Sequence, residues 1–190
     1  MSLHFAVVCG SVRNNRRSIL PAKYIHQKIT ESGYTSTLVD FEALPLPFVY
    51  TDPNPSSLHK HYPEENVQKW SAIVDGADAL IIVTPEYNHG YPGVLKNALD
   101  WLYPEFNDKP VGLVGVSDGQ NGGLRAIETL RPVMANFGMY DIRQAVPLRS
   151  VQNLFSANGS LLDGKVAAQI ASFIKVLGHT AEAMKDLRHT

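Results

Sequence analysis

The sequence predicts a doubly wound α/β fold, in which a parallel β-sheet carries helices on both faces. Three short apolar runs, at residues 3–9, 80–84 and 111–116, have the length and composition of strands buried on both sides. Segments with helical spacing lie between them. This alternation favours a parallel sheet, because each parallel connection needs a crossover that covers the sheet.

Five helices are predicted from apolar residues that recur every three or four positions. These residues are Ile19, Ala22, Ile25 and Ile29; Val67, Trp70, Ile73 and Val74; Leu95, Leu99 and Leu102, in a helix that starts near Pro92; Leu124, Ile127, Leu130 and Met134; and Val166, Ile170, Phe173, Leu177 and Met184. Pro132 inside the fourth helix is a candidate for a kink. A last strand is predicted at residues 141–147, and about five strands are expected in all.

The composition favours one domain over residues 1–190 that acts on a small molecule. The chain has 190 residues, enough to bury a core without disulfides or metals. Hydrophobic residues make up 44%, charged residues 18%, and the formal net charge is -1. These values exclude a disordered chain and argue against a nucleic-acid-binding surface.

The expected location is the cytoplasm, without membrane attachment. No apolar stretch reaches the roughly 20 residues needed to cross a bilayer, and the N-terminus lacks the pattern of a signal peptide. Cys9 is the single cysteine, so no internal disulfide can form, as is usual for a reducing compartment.

The segment 45–63 has no period and holds five of the twelve prolines. A long irregular loop in a compact domain is often a lid or a contact surface, and both interpretations stay open.

The loop at residues 10–18 is predicted to bind a phosphate. It joins an apolar strand to a helix, so its backbone N–H groups should converge on the helix start, which is an anion site. Ser11 and Ser18 add hydroxyl donors, and arginines stand at positions 13, 16 and 17. The loop lacks the Gly-Lys-Ser/Thr ending of a P-loop and the glycine spacing of a dinucleotide site, which favours a monophosphate. The alternative is a solvated basic loop with Ser18 as a helix cap.

Cys9 ahead of this loop suggests a second reading, a cysteine-dependent phosphatase. That chemistry needs an arginine six positions after the cysteine, where this chain has Asn15. We therefore interpret Cys9 as a buried strand residue.

Residues 84–93 form a second loop that can support an aromatic heterocycle. Two prolines and two glycines restrict its backbone, while Tyr87 and Tyr91 offer flat surfaces and Asn88 offers donor and acceptor atoms. A tight turn with surface aromatics is the alternative.

Both loops together carry a family resemblance. Gly10-Ser11-x-Arg13, Pro85-Glu86-Tyr87-Asn88 and the run through Gly93, Lys96, Asn97 and Asp100-Trp101 resemble the NADPH-dependent FMN reductase family over nearly the whole chain. Its members are flavodoxin-like and include quinone, azo and chromate reductases. The resemblance implies a flavodoxin-like three-layer sandwich whose five-stranded parallel sheet has the order 2-1-3-4-5.

The resemblance also implies where FMN would bind. The phosphate would be held by Ser11, Arg13, Arg16 and Ser18, with Arg17 as a further candidate. The isoalloxazine would lie against Pro85, Glu86, Tyr87 and Asn88, and against a third loop through Ser117, Gly119, Gly122 and Gly123. Asp118 and Gln120 stand where the family tends to carry an aromatic residue and a further glycine, so contacts at these two positions are left open.

The function implied is an FMN-dependent NAD(P)H oxidoreductase. NADPH or NADH would reduce bound FMN, and a quinone, an azo compound, a metal oxyanion or another small acceptor would then take the electrons at the same face. Because the flavin supplies the hydride chemistry, no side chain is assigned as catalytic. The alternative is a flavodoxin-type electron carrier, but such carriers are usually strongly acidic.

The weaker signals concern metals and assembly. His59 and His61 lack a cysteine or carboxylate at zinc spacing, so no metal is expected. His89 either affects acceptor binding or makes a turn-forming hydrogen bond. The apolar run Trp101-Leu102-Tyr103, together with the resemblance, predicts a homodimer and leaves a tetramer open.

Overall fold

The computed structural model describes residues 2–185, and its strands and helices alternate along this part of the chain. The strands are β1 His4–Cys9, β2 Thr35–Asp40, β3 Ala79–Pro85, β4 Pro110–Val116, β5 Tyr140–Asp141 and β6 Val146–Leu148. The α-helices are α1 Ile19–Glu31, α2 Glu65–Asp75, α3 Gly93–Asp100, α4 Leu124–Asn136 and α5 Gly164–Ala183. Short 3₁₀ turns occur at Pro55–Leu58, Pro104–Phe106 and Val151–Asn153.

The sheet is parallel and has the order β2-β1-β3-β4-β5, with β6 also paired to β4. The predicted order is confirmed. Cys9 at the end of β1 lies opposite Asp40 of β2 and Val83 of β3, so the strands end along a common edge. The loops that follow β1, β3 and β4 therefore meet at this carboxyl edge, where ligands of doubly wound sheets bind.

The last strand differs from the prediction. The prediction of one continuous strand at residues 141–147 is wrong, because β5 and β6 are separate strands and both pair with β4. Asp141 lies opposite Val111 and Val146 opposite Val114, so the outer chain carries extra residues and bulges. β2 is an edge strand in which serine and threonine occupy three of six positions, and its apolar signal was too weak to place it.

Two hydrophobic cores cover the faces of the sheet. One lies under α1 and α5, and the other under α2, α3 and α4. Trp70 and Trp101 are fully buried in the second core. The indole N–H of Trp70 donates to the Ala98 carbonyl at 2.8 Å, and that of Trp101 donates to the Pro47 carbonyl at 2.7 Å.

Helix α4 continues through Pro132 to Asn136. Within residues 2–185, no helix combines the length and apolarity required to cross a membrane.

The proline-rich segment 45–63 packs along α3. The amide of Asn97 donates to the Pro47 carbonyl at 2.8 Å and accepts from Val49 N at 3.1 Å. Phe48 is 83% exposed and Tyr50 62% exposed. This anchored segment with outward aromatic side chains favours the contact-surface interpretation.

A buried carboxylate ties this segment to the helix layer. Glu105 is 1% exposed, and its Oε1 accepts from the hydroxyls of Tyr62 at 2.8 Å and Ser71 at 2.5 Å. Its Oε2 accepts from Tyr103 N at 3.2 Å. Burial raises the pKa of the Tyr62 hydroxyl, and the hydrogen bond to Glu105 raises that pKa further.

Tyr62→Phe is expected to lower the free energy of unfolding by about 1 kcal/mol at pH 8, because Glu105 loses a donor. The pKa of Tyr62 is higher in the folded than in the unfolded chain, so its stabilising effect is present below about pH 10 and is lost above it. The wild type should therefore lose its advantage over the variant by about pH 11. Urea unfolding at both pH values measures this, with Tyr140→Phe as an exposed control. Parallel pH profiles of wild type and variant would contradict it.

Candidate functional site

The loops after β1, β3 and β4 enclose a cavity of about 280 Å³ at the carboxyl edge of the sheet. A short segment after β6 closes one side of it. The lining residues are Ser11, Arg13, Asn15, Arg16, Arg17, Ser18, Pro85, Glu86, Tyr87, Val116, Ser117, Asp118 and Val151. The cavity thus combines cationic and hydroxyl groups with apolar and aromatic surfaces.

The first loop begins in close contact with β3. Gly10 N donates to the Val83 carbonyl at 2.8 Å, and a Cβ at position 10 would lie 3.0 Å from Leu95 Cδ2. Ser11 is 1% exposed, and its Oγ lies 2.7 Å from the Tyr87 hydroxyl. It also accepts from Arg13 N at 3.3 Å. The bond to Tyr87 joins the first and second loops, and the bond from Arg13 N lies within the first loop.

Ser18 precedes the first residue of α1, but its side chain makes no capping hydrogen bond. Its Oγ lies 3.6 Å from Cys9 Sγ, and its exposed fraction is 1%. The alternative in which Ser18 acts as a helix cap is therefore not observed. The positive end of the helix dipole lies at the cavity without a side-chain cap, which favours an anion there.

Arg16 is held by two carboxylates at the end of β2. Its side chain is 9% exposed, with Nη2 at 2.5 Å from Asp40 Oδ2 and Nη1 bonded to Glu42. Burial lowers the pKa of Arg16, but the bonds to Glu42 and Asp40 outweigh this and leave the pKa raised. Its buried Nε has no hydrogen-bond partner among the described residues. Arg16 thus anchors the loop, and its Nε–H is among the donors that these carboxylates do not use.

The other two arginines differ in their partners. Arg17 Nε lies 3.4 Å from Asp118 Oδ1, and both side chains are exposed. The Arg13 guanidinium lies over the Tyr87 ring, 5.9 Å from its centroid. Among residues 2–185, Arg13 has no ion pair with a carboxylate, so it is free to pair with an anion.

The second loop contains a tight backbone turn. Tyr87 N donates to Gly90 O at 2.8 Å, and Gly90 N donates to Tyr87 O at 3.0 Å. The two central residues, Asn88 and His89, have φ angles of 49° and 67°, as in a type I′ turn. Asn88 and His89 are exposed and lie outside the cavity lining. The structure therefore places His89 inside the turn, but the turn's hydrogen bonds join Tyr87 and Gly90, so neither predicted role of His89 is shown.

Glu86 directs its carboxylate towards α4. Its oxygens accept from Arg125 N at 3.2 Å and from Arg125 Nη1 at 2.9 Å, and its own N–H donates to the Val116 carbonyl at 3.2 Å. The charge of Glu86 is therefore neutralised beside the start of α4.

The third loop folds back onto β4 and β6. Gly122 and Gly123 have φ angles of 60° and 77°, and a Cβ there would lie 2.7 Å from the Pro147 carbonyl carbon and 2.6 Å from Val116 N, respectively. Neither position accepts a side chain without a backbone shift. These glycines bring the loop close to the strands and so set the position of Ser117, which lines the cavity.

The cavity brings together most of the predicted cofactor residues. Asn88, Gly119, Gly122 and Gly123 do not line it. Asn15, Val116 and Val151 do line it, although the sequence analysis assigned them no role. Val151 follows β6 and carries no polar signal, so only its place in the fold reveals it.

Cys9 is fully buried within β1, as predicted. A nucleophilic thiol must reach its substrate, and this one is covered by the first loop, with Sγ 3.8 Å from Ser11 O. This position does not favour phosphatase chemistry.

Comparison with known proteins identifies the family. The model of NADPH-dependent FMN reductases matches residues 3–153. The chain belongs to this family. A 2-hydroxy-1,4-benzoquinone reductase of a Burkholderia species is 32% identical over 180 residues, covering 92% of this chain and 93% of the relative. An NAD(P)H-dependent FMN reductase of Pseudomonas aeruginosa is 38% identical over 116 residues, 58% of this chain. The matched part of this chain spans 63% of the length of that relative, which is less than two thirds.

A solved structure agrees with this assignment. This structure is the flavoenzyme FerB of Paracoccus denitrificans, an NAD(P)H:(acceptor) oxidoreductase. It superposes on this chain with a TM-score of 0.78 at 27% sequence identity, and the aligned region covers 96% of this chain and 98% of the FerB chain. The resemblance inferred from the sequence and the flavodoxin-like fold are confirmed. The named relatives are reductases or oxidoreductases, and two of them are named for NAD(P)H, so neither the carrier nor the phosphatase alternative is favoured.

Proposed function

We propose that the protein is an FMN-dependent NAD(P)H oxidoreductase that passes electrons to a quinone, an azo compound, a metal oxyanion or another small acceptor. The observation that carries the proposal is the cavity at the carboxyl edge, where the basic loop with Ser11, Arg13 and Ser18 meets the aromatic platform at Tyr87. Bound FMN would supply the hydride chemistry. The chain's own task is to bind and orient the flavin and the nicotinamide.

The phosphate end of the site rests on groups with complementary charge. The uncapped start of α1 and the Arg13 guanidinium favour a phosphate dianion, and Ser11 and Ser18 offer hydroxyl groups. Arg16 would donate through Nε, which has no partner among the described residues, while each Nη gives one N–H to a carboxylate. This donor set suits one phosphate group, because no glycine-rich cradle for a second phosphate is present in the loop.

The ring would lie against Pro85, Glu86, Tyr87 and Asn88 of the second loop. Glu86 would take part through its backbone, because its carboxylate is engaged by Arg125. Ser117, Gly119, Gly122 and Gly123 would approach the ring from the third loop. Gly122 and Gly123 support this indirectly, by holding the loop against β4 and β6.

The first test is spectroscopic. Flavin absorption of the purified protein, or saturable quenching of FMN fluorescence on titration, would support the proposal. Rapid oxidation of NADPH or NADH with a quinone, without a separate reductase, would distinguish an enzyme from a carrier. Heat-denatured protein with equal FMN corrects for reduction by free flavin. A colourless protein that fails to bind FMN would overturn the proposal.

The exposed aromatic side chains beside α3 support a homodimer. Phe48, Tyr50 and Tyr103 are 83%, 62% and 40% exposed, and the Tyr50 ring packs edge-on against Trp101. Phe48→Ser together with Tyr50→Ser is expected to shift the mass measured by sedimentation equilibrium from dimer to monomer. Leu162→Ser, an equally exposed residue before α5, is the control. A monomeric wild type would contradict the proposal.

The single buried Cys9 and the use of NAD(P)H as donor support a cytoplasmic location.

A further inference from the structure

The cavity lining contains two carboxylates with very different surroundings. Glu86 has a side chain that is 11% exposed, and it is neutralised by Arg125 and by the N–H at the start of α4. The Asp118 side chain is 67% exposed, and its ion-pair partner is Arg17, at 3.4 Å. Asp118 is thus the carboxylate whose charge can act on a ligand at the mouth of the cavity.

Of the two arginines that form ion pairs in this loop, Arg17 is the one whose partner can be exchanged. Arg16 is fixed by Asp40 and Glu42, with a side chain that is 9% exposed. The Arg17 side chain is 49% exposed, and its 3.4 Å contact with Asp118 is long for an ion pair. An exposed pair of this kind contributes little and exchanges readily with another anion.

We infer that Asp118 is a specificity-determining residue that competes with the phosphate of a bound flavin for Arg17. This inference rests on the proposed function, because it concerns the same cavity. A phosphate dianion that recruits Arg17 must displace the Asp118 carboxylate or share the guanidinium with it. Both outcomes reduce the attraction that Arg17 adds to the phosphate. A flavin without phosphate meets no such competition.

The quantity that Asp118 controls is therefore the ratio of FMN affinity to riboflavin affinity. In the wild type this ratio is smaller than the cations of the loop would otherwise produce. Because the ratio is lowered through weaker FMN binding, FMN is easier to release, so the residue favours a flavin that exchanges with solution over one that is permanently held.

The test is Asp118→Asn, which keeps the shape of the side chain and removes its charge. The dissociation constants of FMN and riboflavin are measured by fluorescence quenching of each flavin with apoprotein. FMN binding is expected to tighten about twofold to fivefold, with riboflavin binding unchanged. The gain should shrink when the salt concentration rises, because the charges are exposed. Asp118→Ser is the second variant, since it removes the same charge with a different shape.

Two further variants make the measurement specific. Glu31→Gln removes one negative charge from the last turn of α1, about 18 Å along the helix from Ile19, and should leave both affinities unchanged. Combining Asp118→Asn with Arg17→Ala tests the route of the effect. Relative to Arg17→Ala alone, the gain in FMN affinity should disappear, because Arg17, the cation that Asp118 pairs with, is absent.

Each contrary outcome has a separate meaning. Equal FMN affinity of the wild type and Asp118→Asn overturns this inference and leaves the proposed function intact. A gain that persists without Arg17, or an equal gain for riboflavin, also overturns the competition for Arg17. A wild type that binds neither FMN nor riboflavin overturns the proposed function itself.

Discussion

Replacement of Arg13 by alanine is expected to weaken FMN binding by about 10-fold to 100-fold and to change riboflavin binding by less than about twofold. Arg13 is the arginine of the first loop that has no ion pair with a carboxylate among the described residues, so its full charge is available to a phosphate. A charge-assisted hydrogen bond to a dianion in a partly enclosed cavity accounts for an effect of this size. The measurement is a fluorescence titration of apoprotein with each flavin.

The controls separate phosphate contact from packing. The Arg13 guanidinium also lies over the Tyr87 ring, and its loss could disturb the aromatic platform. Arg13→Lys keeps the charge and should recover part of the FMN affinity. Lys28→Ala, at the far end of α1, removes a positive charge away from the cavity and should change neither affinity. An equal loss for FMN and riboflavin would show that Arg13 supports the ring surface rather than the phosphate.

The second large effect is expected at Gly123. Gly123→Ala should lower the free energy of unfolding by about 2–4 kcal/mol and weaken flavin binding at the same time. The backbone there has a φ of 77°, and the new Cβ would lie 2.6 Å from Val116 N and 2.9 Å from the Gly115 carbonyl carbon. The contacts are backbone atoms of a central strand, which cannot move aside as the end of a flexible side chain can. The loop must therefore lift away from β4.

Other glycines of the same chain provide matched controls for urea unfolding. Gly159 has a similar φ of 82° and no atom within 4 Å of the added Cβ, so Gly159→Ala should cost about 1 kcal/mol from the backbone conformation alone. Gly119 lies in the same loop, and its nearest neighbour would be 4.0 Å away, so Gly119→Ala should have little effect. If Gly123→Ala is no more destabilising than Gly159→Ala, the close approach of the loop to β4 is not what requires glycine.

In the same loop, the structure shows what the glycine motif approaches. The family resemblance assigned Gly122 and Gly123 to the flavin, in a loop whose glycines let the backbone approach the ring. In the structure that close approach is made to Pro147 and Val116 of the neighbouring strands. Whether these residues also contact the ring remains a prediction, together with the rest of the assigned cofactor contacts.

The sequence by itself determined the elements whose signals are local. The apolar runs that became β1, β3 and β4 are buried on both faces, and a strand of that kind is readable from composition alone. The basic loop and the Pro85–Tyr87 segment could also be assigned, because each follows such a strand. Parallel strands place those loops at one edge, where the structure has the cavity.

Only the tertiary structure decided which charges are paired. The sequence shows three similar arginines at positions 13, 16 and 17. Their partners come from distant segments, because Asp40 ends β2, Glu42 follows it and Asp118 follows β4. The split of the last strand into β5 and β6 likewise depends on its register against β4. Partners and register are set by non-local packing, and no local pattern of residues encodes them.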